Sequence, residues 1–307
     1  MDITLDIAQL AIIGVTTGAI YSIGAVGLTI SYGVMKFPNI SHGYLMAMAV
    51  YLVSTATVTW GLGSANLGNL SFGWAFLAFG AAAALISGLL AVAVDLVVFR
   101  TIRNRGYQSV VTLLIASIGV AIALQAVILA VWGGARYRLF TGVVRSLEGP
   151  YGLRVHGDDL FTVGITIAMA LLLYLLLYHT RLGKSMRATT ENDKLAEVVG
   201  IDTGRVRMAT WFISGSLAGV AGLLFGIQLG AITLSAGFTL LLPIIAATIL
   251  GGIGSPWGAL LAGLLIGVTQ EVSVQWIDSG FKPVVPFAVM ILVLLVRPQG
   301  LLGRRAN

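Results

Sequence analysis

The chain has 307 residues, 58% of them hydrophobic and only 10% charged, with a mean hydropathy of +0.97 and a formal net charge of +6. A soluble surface carries ionic groups at roughly a quarter to a third of its positions, so these few charges exclude a soluble enzyme, a secreted module and a disordered chain. The absence of cysteine removes disulfides, thiolate metal sites and cysteine nucleophiles.

What remains is an all-α polytopic membrane protein, read as a single transmembrane domain over residues 1–307. A crossing helix needs about 20 mostly apolar residues. In chain order the uncharged runs Ile7–Met35, Ile40–Trp60, Phe72–Val94, Ser109–Gly133, Leu160–Tyr178 and Met208–Gly230 qualify. Residues 238–270 form a long uncharged stretch interrupted by Gly251-Gly252-Ile253-Gly254-Ser255-Pro256, and a shorter run, Pro283–Val296, follows. The expectation is about eight or nine transmembrane helices, with 238–270 supplying two short spans or a re-entrant pair. An acidic N-terminus before a long apolar run does not fit a cleavable signal, so the first residue is expected to be the mature end.

Placing Lys36, Arg100, Arg103, Arg105, the basic residues from Arg181 to Arg207, and Arg297, Arg304 and Arg305 on the cytoplasmic side follows the positive-inside bias. Arg136, Arg138, Arg145, Arg154 and Lys282 then lie outside with Asp2, Asp6, Glu148, Asp158, Asp159, Glu271 and Asp278. This gives an external N-terminus, a cytoplasmic C-terminus, a periplasmic loop at 134–159 and a cytoplasmic loop at 180–206. The net charge is thus a signal of topology, and no nucleic-acid partner is expected.

Helices in lipid associate through small residues. Gly14/Gly18, Gly215/Gly219, Gly222/Gly226/Gly230, Gly254/Gly258 and Gly263/Gly267 all stand four apart and predict packed faces. Two stretches break the helical pattern, Gly33–Gly43 and Gly251–Pro256. The first is either an ordinary cytoplasmic turn at the membrane surface, with Asn39 or Ser41 capping the next helix, or irregular backbone lining a passage. The two share only a glycine–proline–glycine rhythm. Polar residues within spans are few, among them Gln125, Gln228, Gln270, Thr248, Thr29, Ser117 and Ser214. Asp95 is the one acid in a span, with Arg100 its expected partner. No chain of intramembrane carboxylates exists for proton coupling, and the scattered His42, His156 and His179 make no local metal motif. No metal or cofactor is expected.

In the loop at 180–206, Gly183-Lys184-Ser185 resembles the tail of a phosphate-binding loop, but Tyr178 occupies the position of its first glycine. The loop is too short for a nucleotide-hydrolysing domain. It predicts a short helix, with Thr190 and Asp193 spaced as a capping box and Gly200 as terminator. Leu195, Val198 and Val199 form an apolar edge opposite Glu191, Lys194 and Glu197. A small apolar edge with mixed charges suits docking to another protein better than lying on headgroups.

The run from Gly18 to Gly43, with Tyr21, Gly27-Leu28, Tyr32-Gly33 and Asn39-Ile40-Ser41-His42-Gly43, resembles the N-terminal signature of ABC permeases for branched-chain amino acids and urea. Gly183–Ile201 looks like their coupling segment. Leu250–Gly258 and Arg297-Pro-Gln-Gly-Leu-Leu-Gly303 are similar to their last two landmarks. The resemblance runs through nearly the whole chain and is greatest to the LivH-type subunit. Two departures stand out: Tyr44 replaces an acid found after His-Gly in many relatives, and the general coupling motif is reduced to Ala196 and Gly200.

The resemblance implies a permease subunit of an ATP-driven importer in the bacterial inner membrane. Its implied partners are cytoplasmic ABC ATPase subunits, a periplasmic substrate-binding protein and a second permease subunit, in a homo- or heterodimer. Arg187, Glu191, Asn192, Ala196 and Gly200 are the expected coupling residues. Asn39, His42, Gln125, Thr248 and Gln270 are the expected pathway residues. Neutral amides and hydroxyls suit branched-chain or other amino acids, and alternatively urea or a short amide. A passive channel is the rival of another class. An enzyme is not expected, because the chain holds no serine-nucleophile motif and no clustered acids.

Overall fold

The computed structural model describes residues 3–61, 67–107, 109–139, 146–148 and 152–303. Asp2, Arg304, Arg305 and, within the 134–159 loop, residues 140–145 (Arg145 among them) and 149–151 lie outside the described residues. The helices are α1 (Ile3–Met35), α2 (His42–Ser54), α3 (Trp74–Val94), α4 (Arg100–Asn104), α5 (Val110–Trp132), α6 (Gly157–His179), α7 (Arg181–Glu191), α8 (Asp193–Val198), α9 (Thr203–Leu229), α10 (Ala236–Gly251), α11 (Pro256–Val272) and α12 (Val285–Val296). A π turn, Thr55–Thr59, prolongs α2, and another, Asp95–Phe99, joins α3 to α4. Two 3-10 turns, Ser273–Gln275 and Ser279–Val284, and four two-residue strands complete the secondary structure among the described residues. β1 (Tyr137–Arg138) pairs antiparallel with β4 (Ala231–Ile232), and β2 (Leu147–Glu148) with β3 (Arg154–Val155).

Among the described residues seven helical segments are long and apolar enough to cross a membrane, and α2 and α10 are shorter. The fold is thus the expected all-α polytopic membrane protein. Burial sorts the helices into layers: 72% of the apolar window of α1 is buried, against 22% for α5 and α6 and 6% for the last span. A helix that is apolar all round yet exposed has lipid as its neighbour, so α5, α6 and α12 form the rim around a centre of α1, α2, α9 and α10.

The centre is held by backbone-to-backbone approach, because lipid gives apolar side chains little reason to associate. Gly14 and Gly18 of α1 face Gly263 and Gly267 of α11; a Cβ on Gly267 would fall 2.2 Å from the Gly18 Cα. Gly215 and Gly219 of α9 face Ala84, Ser87 and Gly88 of α3, and Gly222 and Gly226 face Met46 and Val50 of α2. Gly230 and Gly254 differ from expectation. Both have positive φ and end or join helices rather than lie on a helix face.

The first break is not a turn at the membrane surface. After Met35 the chain turns back on Lys36 and climbs into the bundle as buried, irregular backbone. Phe37 stacks among Phe99 and Trp211, at centroid distances of 5.1 and 6.4 Å. The Ile40 N–H donates to Ser117 Oγ at 3.2 Å, and the His42 ring meets the Gly24 carbonyl at 3.1 Å. Gly24 precedes the end of α1 by about 16 Å at the helical rise. Helix α2 therefore begins deep inside the span. Ser41 occupies the N-cap position without a side-chain cap bond, and Asn39 Oδ1 accepts from the Ser41 N–H and hydroxyl instead.

The counterpart of this break is Gly230–Ser235, not Gly251–Pro256. One constant separation in sequence relates Met35 to Leu229 as last residues of long helices, and Lys36 to Gly230 at φ 61° and 62°. The same separation relates Ser41 to Ser235 before α2 and α10, and Gly43 to Gly237 inside them. Ile40-Ser41-His42-Gly43-Tyr44 is echoed by Leu234-Ser235-Ala236-Gly237-Phe238. The two units cross at their glycines: a Cβ on Gly43 would lie 2.2 Å from the Gly237 carbonyl oxygen, and one on Gly237 3.0 Å from that of Gly43. The packing α1–α11 corresponds to α9–α3, and α2–α5 to α10–α12. The bundle is built from two related units of opposite direction.

Gly251–Pro256 is the turn between α10 and α11, which settles 238–270 as a helical hairpin. Its backbone is clamped by the C-terminal segment, where the N–H groups of Leu301 and Leu302 donate to the carbonyls of Leu250 and Gly251 at 2.8 and 3.1 Å. The two terminal motifs singled out in the sequence therefore form one structure. Asp95 pairs with Arg103 at 2.8 Å rather than with Arg100, since the unbroken run from α3 through α4 brings Arg103 back over the carboxylate.

Candidate translocation pathway and coupling surface

Where α2 and α10 meet, their first turns cross at Gly43 and Gly237, the start of α2 buried and that of α10 exposed at Ser235, Phe238 and Thr239, and helix N-termini favour negative charge. Asn39 and His42 stand at this point, 2% and 0% exposed. Asn39 Nδ2 and His42 Nδ1 have no hydrogen-bond partner although both atoms are buried. Such atoms carry a desolvation cost of about 1–3 kcal/mol each when left unmet. Thr248 is buried below them, donating to the Ile244 carbonyl at 2.8 Å and near that of Ala25 at 3.4 Å.

One face of α1 carries Thr17, Tyr21, Ala25, Thr29 and Gly33 at four-residue spacing, a stripe up one side of the helix. Thr17 donates to Glu271 at 3.1 Å and accepts from Gln228 at 2.8 Å. Tyr21 lies beside Gln270, whose Oε1 is buried without a partner. Thr29 accepts from the Gly254 N–H at 2.9 Å. His42, Thr248 and Gln270 thus each meet a residue of α1, namely Gly24, Ala25 and Tyr21, while Asn39 is bonded to Ser41. Gln125 does not join them: it is half-buried on α5, which packs on α2. From the sequence, Tyr21 stands out only within the family signature, Glu271 only among the external acids and Thr17 not at all, although the four-residue spacing of Thr17, Tyr21 and Thr29 is visible there.

Glu271, expected in an external loop, is 7% exposed in the last turn of α11 and paired with Lys282 at 2.6 Å. Removing the ammonium leaves a carboxylate inside the bundle. Lys282→Met is expected to destabilise by about 2 kcal/mol, between the values for exposed and buried pairs because Lys282 keeps a third of its surface in solvent. Thermal unfolding in detergent checks this, with Lys282→Met/Glu271→Gln recovering most of the loss.

At the basic end, α7 folds back on α6. Thr180 caps it by accepting from the Gly183 N–H at 3.0 Å, and a Cβ on Gly183 would lie 2.2 Å from the Leu176 carbonyl oxygen. The expected single helix is two. Thr190 lies within α7 and donates to Met186, while Asn192 breaks the chain and caps α8 by accepting from the Leu195 N–H at 3.0 Å. The Asn192 carboxamide accepts that bond directly in the extended backbone, so no capping box from Thr190 is needed. Arg187 stacks over the Tyr178 ring at 4.8 Å. With Glu191 it borders a cavity of about 470 Å³ shared with Thr29, Gly33, Gly254 and Trp257. Ala196 is buried, and Gly200 ends the segment at φ 86°. Leu195, Val198 and Val199 are 59%, 82% and 68% exposed, so α8 presents an exposed apolar edge beside exposed Lys194 and Glu197. A second cavity of about 770 Å³ lies between Arg100, Arg103, Glu197, Asp202 and Arg205. Among the described residues no cluster of metal-ligating side chains occurs.

The family described as branched-chain amino acid transport system, permease component, matches residues 10–294. The chain is similar to the high-affinity branched-chain amino acid transport system permease protein LivH of Escherichia coli (strain K12), with 32% identity over 297 residues, 95% of this chain and 94% of that one. It is 30% identical over 295 residues to the permease protein BraD of the same kind of system in Pseudomonas aeruginosa, again covering 95% and 94%. Similarity extends to the permease protein LivM of Escherichia coli (strain K12), at 26% identity over 321 residues, 97% of this chain and 70% of that one.

Proposed function

The chain belongs to the branched-chain amino acid transport system permease family, and from that premise we propose that it carries branched-chain amino acids inward across the bacterial inner membrane as the permease of an ATP-driven importer. The N-terminus lies outside and the C-terminus in the cytoplasm. ATPase subunits dock on the 180–206 segment, a periplasmic binding protein delivers solute near the 134–159 loop, and a second permease subunit completes the passage. The similarity to both LivH and LivM supports a heterodimer of related subunits.

The observation that carries this reading is the crossing of the first turns of α2 and α10 beside the buried Asn39 and His42, whose Nδ2 and Nδ1 atoms have no partner. An amino acid presents a carboxylate, which the N-terminal dipoles favour, and polar atoms that meet the unpartnered Asn39 amide and His42 ring. The passage is closed at this point by the crossing of α2 and α10, so separation of the two units opens it. A urea-sized amide would use the same hydrogen bonds but gain nothing from the helix dipoles.

Coupling separates an importer from a passive channel. Substituting Val198→Asp places a charge on the apolar edge of α8. In proteoliposomes holding the whole complex, the variant is expected to lose bound ATPase and at least nine-tenths of ATP-dependent L-leucine uptake. A channel would conduct leucine unchanged, and that outcome overturns the reading.

A further inference from the structure

Among the described residues, Lys36 is the one non-glycine residue with a positive φ, at 61°. The left-handed region is costly for a side chain with a Cβ. The corresponding residue in the second unit, at the corresponding end of α9 and with φ 62°, is Gly230. Backbone geometry alone therefore selects glycine at this turn, and something other than the turn retains lysine in the first unit.

The structure offers one reason. The Lys36 ammonium donates to the Thr190 carbonyl at 2.6 Å. Thr190 lies in the last turn of α7, where the final four carbonyls have no partner within the helix and a cation is favoured. The main chain of Lys36 leads directly into the buried segment Phe37–Ser41 and so to the start of α2. Thr190 is followed by Glu191 and Asn192, the junction to α8. Gly33, one turn before Lys36, packs against the Thr190 side chain, with 3.4 Å from its ideal Cβ position to Cγ2.

We propose that Lys36 is a positioning residue that tethers the end of α7 to the re-entrant segment, so that movement of the α7–α8 unit is passed to the start of α2. The proposal rests on the assignment of α7 and α8 as the surface on which the ATPase acts. Lysine is kept at a backbone cost because the tether is needed at this end of the molecule and not at the other, where among the described residues Gly230 bonds the segment after β1, its carbonyl accepting from the Leu139 N–H. The path is short and mechanical: α8, Asn192, the Thr190 carbonyl, Lys36, then Phe37 to His42.

Three variants in the complete complex test it: Lys36→Gly, Lys36→Met and Lys36→Arg. Lys36→Gly relieves the backbone and removes the ammonium, Lys36→Met keeps the backbone cost without the ammonium, and Lys36→Arg keeps both. The readouts are Tm, retention of ATPase through purification, and ATP hydrolysis stimulated by leucine-loaded binding protein. Lys36→Gly is expected to raise Tm by about 2 °C, keep the ATPase bound, and lower stimulated hydrolysis and leucine uptake about tenfold. Lys36→Met is expected to lose both stability and stimulation, and Lys36→Arg to keep at least half of the stimulation. A glycine variant that transports like the parent, or one that loses stability together with transport, overturns the tether. If Val198→Asp leaves ATPase and uptake intact, the docking surface itself is wrong, a failure separate from that of Lys36.

Discussion

A single methyl group at Gly43 is expected to abolish folded protein, whereas the same change at Gly119 is expected to be harmless. The Cβ of Gly43→Ala would sit 2.2 Å from the Gly237 carbonyl oxygen and 3.0 Å from the Leu241 Cβ. Both neighbours belong to α10, which is itself fixed by α1, α2 and α11. No flexible side chain is available to move aside; either the crossing opens or the helices shift as bodies. Overpacking of a core costs about 1–3 kcal/mol when side chains can adjust, and a backbone collision at the crossing exceeds that. A loss above about 4 kcal/mol is comparable with the whole stability of an ordinary domain. Gly119 lies on the rim helix α5 with nothing within 4 Å of its Cβ position, and alanine there removes a helix-weakening glycine. The measurement is the yield of monodisperse protein after detergent extraction. Equal yields for the two variants would show that the crossing is not a close backbone contact.

The glycine faces, the layout of apolar spans and the stop at Gly200 were legible in the sequence, because each is a matter of local spacing. Gly14/Gly18 and Gly263/Gly267 announce a face, and the structure pairs those two faces with each other. Depth was not legible. Gly33–Gly43 has the composition of a surface turn, and only the burial of Phe37, Asn39 and Ser41 reveals that it climbs back into the span. The internal relation was hidden for a similar reason. The two breaks share Ser41 and Ser235, Gly43 and Gly237, and an aromatic after each glycine, while Lys36 and Gly230 share a backbone shape and no chemistry. Glycine–proline rhythm pointed to Gly251–Pro256 instead, a turn whose glycines serve the C-terminal clamp: a Cβ on Gly252 would fall 2.5 Å from the Gly303 nitrogen. Charge placement misled in the same way at Glu271, because a loop-like position near a helix end does not tell whether the helix end itself is buried.

Two oppositely directed units cross at one point in this permease, and the proposed passage runs past the polar atoms of Asn39 and His42 beside that crossing. Asn39→Ala together with His42→Ala is therefore expected to lower L-leucine uptake by about a hundredfold in the complete complex, with bound ATPase retained. The size follows from two lost hydrogen bonds of about 1.5 kcal/mol each to a charged solute, which is about 3 kcal/mol, and a factor of ten corresponds to about 1.4 kcal/mol. Stability should fall far less than transport. The Asn39 and His42 atoms without partners contribute no bond to the resting fold, and the bonds that are lost are a local one, Asn39 to Ser41, and a single one between helices, His42 to the Gly24 carbonyl. Gln125→Ala, on α5, serves as the control and is expected to transport at the parental rate. If uptake by the double variant stays within threefold of the parent, solute does not pass the crossing of α2 and α10. If Tm falls in proportion to uptake, the two residues are parts of the scaffold alone.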